Sequence, residues 1–222
     1  MQKFVIIVAG GSGTRMGGEI PKQFLLLNGK PILMHTLDAF ITYSKNIKII
    51  LVLPEPQISK WDSLCRDYDY SSVHQIVTGG DTRFQSVKNG LASINADNAL
   101  VAVHDGVRPL ISNEVIANTF EAAEEFGSGI AAVPLKDSIR KTEGIQNKAV
   151  DRNQFWAIQT PQTFNLASIK KAYETVFSTS FTDDATVMEK DGNSIHLVNG
   201  DYKNIKITTK EDLIIAAAFL QE

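Results

Sequence analysis

The sequence predicts an α/β fold built on a mainly parallel central sheet. Continuous apolar runs rich in β-branched residues recur along the chain, and segments with helical spacing of apolar residues separate them. The runs are uninterrupted rather than alternating, which suits parallel strands covered on both faces. At 222 residues the chain is long enough for one sizeable core. No internal repeat or low-complexity linker divides it, so a single domain over 1–222 is expected.

Residues 4–9 form the expected first strand; the apolar run is too short for a membrane span and lacks the pattern of a secretory leader. Residues 31–43 place Ile32, Leu33, Leu37, Phe40 and Ile41 close to helical period. Strands follow at 48–53 and 74–77, a helix at 86–94 and a strand at 99–104. A helix at 113–126 has Asn113 as its expected N-cap and Ile116, Phe120 and Ala123 along one face. A fifth strand is expected at 130–134.

Residues 136–155 break the pattern, being polar and without helical period. Two strand-like pieces, 138–141 and 148–151, flank Gly144, which reads as a projecting β-arm, with an ordinary surface loop as the alternative. A lone polar ribbon gains little by itself, so the arm points to a second copy of the chain. Further on, the Asp183–Asp184 pair precedes a helical run at 185–190 and is read as a cap rather than a metal site. Residues 204–213 are expected to end a strand and begin the last helix, capped by Thr208 or Thr209.

Composition narrows the function. Hydrophobic residues are 43% and charged residues 21%, ordinary for a globular chain. The formal net charge of -3 leaves no basic surplus, so neither nucleic acid nor a membrane surface is an expected partner. Any anionic ligand must be held by locally placed Arg and Lys, and the cytoplasm is the expected compartment. The lone Cys65 excludes an intramolecular disulfide. With Asp62, Arg66 and Asp67 nearby it reads as an inert thiol on a solvated helix face.

The strongest motif is Gly10-Gly11-Ser12-Gly13-Thr14-Arg15-Met16-Gly17-Gly18, directly after the first strand. Glycines let backbone N–H groups close on a phosphate. A dinucleotide fold would need Gly or Ala where Met16 stands, and a P-loop would need Lys-Ser/Thr where Glu19 and Ile20 follow Gly18. Arg15 inside the loop and Lys22 beyond it, after Pro21, frame it with a planar fork and a mobile point charge. At a strand's carboxyl end, where α/β sheets bind ligands, this suits a triphosphate. A bare turn with two solvated cations is the alternative.

The glycine run followed by Pro21-Lys22-Gln23-Phe24 resembles the nucleotidyltransferases that join sugars or sugar phosphates to nucleotides. Within them it most resembles the 2-C-methyl-D-erythritol 4-phosphate cytidylyltransferases of the non-mevalonate isoprenoid pathway. Those enzymes usually carry Ala-Ala-Gly where Ala9-Gly10-Gly11 stands, and the double glycine is closer to the ribitol-5-phosphate cytidylyltransferases. The segments 136–141, 151–156 and 79–87 sit closer to the methylerythritol enzymes. The implied fold is a Rossmann-like, GT-A-like three-layer nucleotidyltransferase fold with a projecting arm.

The resemblance extends over nearly the whole chain and implies roles residue by residue. Gly10, Gly11, Ser12, Gly13, Gly80, Asp81, Arg83, Ser86, Gly106 and Thr160 would meet the nucleotide, with 79–87 recognising cytosine. By chemistry alone, 79–87 reads equally as a turn with a helix cap. Asp105, at the end of the fourth strand, would ligate Mg²⁺; a salt bridge to Arg108 is the alternative. Gly106 stands where the family usually has alanine. His104 points away from Asp105 by strand alternation and is read as structural. Arg15, Lys22 and Lys206 would carry catalysis by neutralising phosphate charge, while Arg152, Ser138 and Asp105 would hold the acceptor. Ser138 replaces the usual threonine, and the arm would cross from the neighbouring subunit of a homodimer.

The implied reaction joins CTP and a sugar-alcohol phosphate, methylerythritol phosphate, with release of pyrophosphate. The acceptor phosphate is already ionised at neutral pH, which agrees with the absence of a persuasive His or Cys nucleophile. The rivals are the ribitol enzyme and a non-catalytic nucleotide-binding module.

Overall fold

The computed structural model describes residues 1–10 and 20–221; Gly11, Ser12, Gly13 and Arg15 lie outside the described residues. The chain opens with β1 (Gln2–Val8). A short hairpin of β2 (Leu26–Leu27) and β3 (Lys30–Pro31) leads into α1 (Ile32–Tyr43). Then β4 (Lys48–Leu53), α2 (Glu55–Asp67), β5 (Gln75–Thr78), α3 (Arg83–Ala92), β6 (Ala99–Asp105), α4 (Asn113–Phe126) and β7 (Ser128–Pro134) alternate. A separate ribbon of β8 (Ile139–Glu143) and β9 (Gln146–Val150) projects before β10 (Trp156–Asn165). The remaining elements are α5 (Leu166–Ala172), α6 (Asp184–Lys190), β11 (Leu197–Asn199) and α7 (Lys210–Phe219).

The main sheet has the strand order β11-β7-β10-β6-β1-β4-β5. It is parallel except at β10, which runs antiparallel to both β6 and β7. The apolar runs are explained by β1. Val5 and Ile7 face one core with Leu33, Phe40, Trp61 and Phe120 of α1, α2 and α4. Phe4 and Ile6 face the other with Phe84, Ile169 and Met188 of α3, α5 and α6. Both faces are covered from Phe4 to Ile7, so no position there is left for a polar side chain. Each fully buried side chain of this size contributes about 1.5–3 kcal/mol. The sheet therefore fixes its carboxyl rim firmly.

Three expectations need correction. The N-cap of α4 is Ser112, whose side chain accepts from Val115 N; Asn113 is the first helical residue. Either residue type can cap, so the sequence leaves a one-residue offset open. Strands β10 and β11, unforeseen because their residues are largely polar or few, complete the sheet. Finally, residues 204–208 are an irregular strap rather than a strand. Ile207 N donates to Val107 O in the loop after β6 (2.9 Å), so the segment meets a loop and finds no ladder partner there.

A two-stranded ribbon stands where the arm is expected. Ile139 pairs with Val150 through to Glu143 with Gln146, and Gly144 takes the turn at φ 58°. Residues 140–149 are all exposed. Asp183 caps α6 through a capping box, and Thr209 caps α7. Among the described residues, no helix is long and apolar enough to cross a membrane.

Candidate active site

Two cavities adjoin at the carboxyl rim, and both are lined by Arg83, Asp105 and Lys206. The first, about 210 Å³, lies between the end of β1 and the start of α3; Gly10, Lys22, Gly80, Asp81 and Ser86 line it. The second, about 290 Å³, lies against β10 and the start of α6, with Arg108, Thr160 and Thr182 in its wall.

Lys22 starts a 3₁₀ turn after Pro21. The following Gln23 is fully buried and donates to Ala9 O (2.7 Å), so it holds that turn against the end of β1. On the opposite wall, Thr82 caps α3 by accepting from Gln85 N. Gly80 N donates to Ser86 Oγ (3.1 Å), which folds the glycine turn onto the helix start. A Cβ on Gly80 would run into Gln85, so glycine is needed there. The cap and the cavity wall are thus the same few residues. Gly106, by contrast, is buried and does not line either cavity. An added Cβ would lie 2.9 Å from Ala9 Cβ and 3.1 Å from Leu33 Cδ1, so a larger residue here would have to displace these neighbours slightly.

Asp105 is the electrostatic centre. Lys206 Nζ lies 3.0 Å from its Oδ2 and Arg108 Nε 3.4 Å, while Arg83 Nε lies 3.8 Å from Oδ1. Burial by itself would raise this carboxyl; the guanidinium of Arg83, the Lys206 ammonium and Arg108 outweigh it and hold the group well below the usual carboxylate range. The site therefore keeps Asp105 ionised and surrounded by cations. Arg83 is fixed from behind by a two-pronged pair with Asp184 of α6, Nη1–Oδ1 3.0 Å and Nη2–Oδ2 2.6 Å. Tyr173 donates to the same carboxylate (2.6 Å).

His104 lies behind this cluster, fully buried. Its Nδ1 meets Thr160 Oγ1 and its Nε2 meets Arg108 O, each at 3.1 Å. Burial pushes it down to about 4, so at neutral pH it is an uncharged strut with both nitrogens engaged. Thr160 Oγ1 also accepts from Asp105 N (3.1 Å), linking β10 to the end of β6. Cys65 is on α2, and burial pushes its thiol up to about 11, consistent with an inert group.

Of the residues singled out from sequence, Gly10, Lys22, Gly80, Asp81, Arg83, Ser86, Asp105, Thr160 and Lys206 meet around the two cavities. Ser138 and Arg152 line neither; both are exposed on the arm, where Arg152 donates to Lys136 O. Sequence reasoning missed Asp184 and Thr182. Asp184 carried the signal of a second acidic residue beside a cap that needs only one.

Among the described residues, no group of three or more His, Cys, Asp or Glu gathers to hold a metal. Mg²⁺ typically takes one or two carboxylates and fills its octahedron with phosphate oxygens and water. Asp105, which lines both cavities, is the carboxylate that could meet a cation delivered with a polyphosphate.

The family model for 2-C-methyl-D-erythritol 4-phosphate cytidylyltransferase matches residues 3–222. The chain is 50% identical over 220 residues to the enzyme so named from Azobacteroides pseudotrichonymphae, covering 99% of each chain. It is 47% identical to that of Bacteroides thetaiotaomicron, covering 99% of this chain and all of the relative. Among solved structures it is similar to 4-diphosphocytidyl-2C-methyl-D-erythritol synthase from Anaerococcus prevotii, with TM-score 0.85 and 30% identity over 100% of this chain and 96% of that one. The Thermus thermophilus cytidylyltransferase is similar at TM-score 0.78 and 28% identity, with both chains covered fully.

Proposed function

This chain belongs to the 2-C-methyl-D-erythritol 4-phosphate cytidylyltransferase family, and we infer its reaction and the roles of its residues from that membership and the site's geometry. It transfers CMP from CTP to 2-C-methyl-D-erythritol 4-phosphate, giving 4-diphosphocytidyl-2-C-methyl-D-erythritol and pyrophosphate, a step of isoprenoid precursor synthesis. The observation that carries the assignment of roles is the ionised Asp105 with its three cations, standing where the two cavities meet.

We propose that the first cavity takes CTP, its base against Gly80, Asp81 and Ser86 and its phosphates toward Gly10 and Lys22 with Arg15. The second takes the acceptor. An acceptor phosphate oxygen then forms a bond to the α-phosphorus. The bond from that phosphorus to the bridging oxygen breaks, and pyrophosphate leaves with the electron pair. The acceptor's second ionisation lies near pH 6, so no base is required. That agrees with a His104 held neutral and fully engaged. What remains is alignment and charge neutralisation, the work of Lys22, Arg15 and Lys206.

Asp105 would hold Mg²⁺, which when bound neutralises triphosphate charge. Arg83, committed to Asp184, keeps Asp105 in place between the two anions. The chain acts as a homodimer in this reading. Ser138 and Arg152 line neither cavity of their own chain, so the arm crosses to complete the partner's acceptor site. The test is pyrophosphate release with CTP and Mg²⁺ and each sugar-alcohol phosphate in turn. Release with methylerythritol phosphate is expected; release with ribitol 5-phosphate alone would overturn the acceptor, and release with neither would favour a binding module.

A further inference from the structure

We propose that Asn204 is the positioning residue that sets Lys206 for the transfer step; this rests on the role given to Lys206 above. Lys206 sits on no helix or strand, so no regular backbone ladder fixes it. Its placement depends on how the strap is pinned on either side. One residue after it, Ile207 is fully buried and bonded to Val107 O. Two residues before it, Asn204 is fully buried too.

Asn204 joins three elements. Its Nδ2 donates to Thr160 O (2.8 Å) and Gln159 Oε1 (3.2 Å) on β10. Its backbone oxygen accepts from Arg108 Nη1 (2.8 Å), the guanidinium that also pairs with Asp105. Both side-chain neighbours are acceptors, which decides the orientation of the amide. Gln159 in turn clasps the start of the strap, donating to Asp201 O (2.8 Å) and accepting from Asp201 N (3.3 Å). The same bonds therefore tie the strap to the wall of the second cavity and to the partner of Asp105. Alanine at 204 would leave Thr160 O and Gln159 Oε1 without these donors and let the strap move. A shift on the scale of 1 Å at a charge stabiliser costs about 10²-fold in rate.

The test is a double-mutant cycle of Asn204→Ala and Lys206→Ala, with kcat and KM measured for both substrates. Lys206→Ala should lower kcat by about 10²-fold. Asn204→Ala should lower it by about 10-fold or more, with KM for CTP changed by less than about 3-fold. The double variant should be no slower than Lys206→Ala within about 2-fold, because Asn204 acts only through that lysine. Near-normal kcat in Lys206→Ala would overturn the lysine's role and this inference with it. A slow Lys206→Ala beside an unaffected Asn204→Ala, or losses that multiply, would overturn the inference alone. Should Asn204→Ala fail to fold, Gln159→Met decides by the same cycle: its kcat loss should vanish in the Lys206→Ala background, and persistence there would refute the proposal.

Discussion

Arg83 on the sheet rim and Arg152 on the arm both belong to the proposed site, yet their surroundings differ. Arg83 is gripped by both oxygens of a fully buried carboxylate, with a tyrosine hydroxyl behind it. Arg152 is exposed, and its fold-given partner is one carbonyl at the base of the arm. The rim's charges are fixed by the chain's own core. The arm's are not, and a planar guanidinium gives bidentate recognition only when something orders it. The two halves of the site therefore differ in what would complete them: the rim is finished by folding, and in the proposed dimer the arm would be finished by association.

Breaking the rim should cost most. Lys22→Ala should lower kcat by at least about 10²-fold, the scale for loss of one preorganised charge stabiliser; near-normal turnover would remove Lys22 from the chemistry. Acid should reach the rim next. Burial holds His104 down to about 4 in the folded state, below the ordinary 6.5. The unfolded chain thus takes up that proton first, and stability is lost as pH falls from 6.5 towards 4, by up to about 3 kcal/mol. Asp105 acts in the same direction over a lower pH window. Its lowered folded value means its contribution holds down to about pH 4 and fades only below that. Urea unfolding at pH 7 and pH 4.5, beside His104 NMR, checks this; an imidazole titrating near 6.5 would show a rim open to water.

Breaking the arm should leave the fold intact and change binding. Arg152→Ala should raise KM for the sugar phosphate about 10-fold, with kcat changed far less, the size of one charge-assisted contact. An unchanged KM would remove Arg152 from the acceptor site. The smallest effect is expected at the tip. Ile145 is fully exposed beside the Gly144 turn, and Ile145→Ser should move unfolding free energy by no more than about 0.5 kcal/mol. A larger loss in the assembled protein would mean the tip is buried against a partner.

The same contrast explains what could be read from sequence. The strands β1, β4 and β6 are legible because burial on both faces leaves an unbroken apolar run. The ribbon is legible from two polar pieces around a glycine. Strand β10 is not, since it buries Gln159, Thr160, Gln162 and Thr163, whose partners come from distant segments such as Asp183, Asn204 and Thr119. In the site, Asp105 stands out at a strand end and Lys206 beside apolar neighbours. The Arg83–Asp184 pair spans 101 residues, and nothing local announces it. Asp183 caps α6 as its position suggests, while its neighbour turns inward to Arg83.

The direct test of a site shared between rim and arm is subunit mixing. Lys22→Ala and Arg152→Ala proteins, each of low activity under subsaturating acceptor, are unfolded together, refolded and assayed by pyrophosphate release. If the arm completes the partner's site, each mixed dimer has one intact site, and activity should return to about a quarter of wild type. No gain over the separately refolded variants, in a preparation shown to contain mixed dimers, would place rim and arm in the same subunit's site and contradict the account.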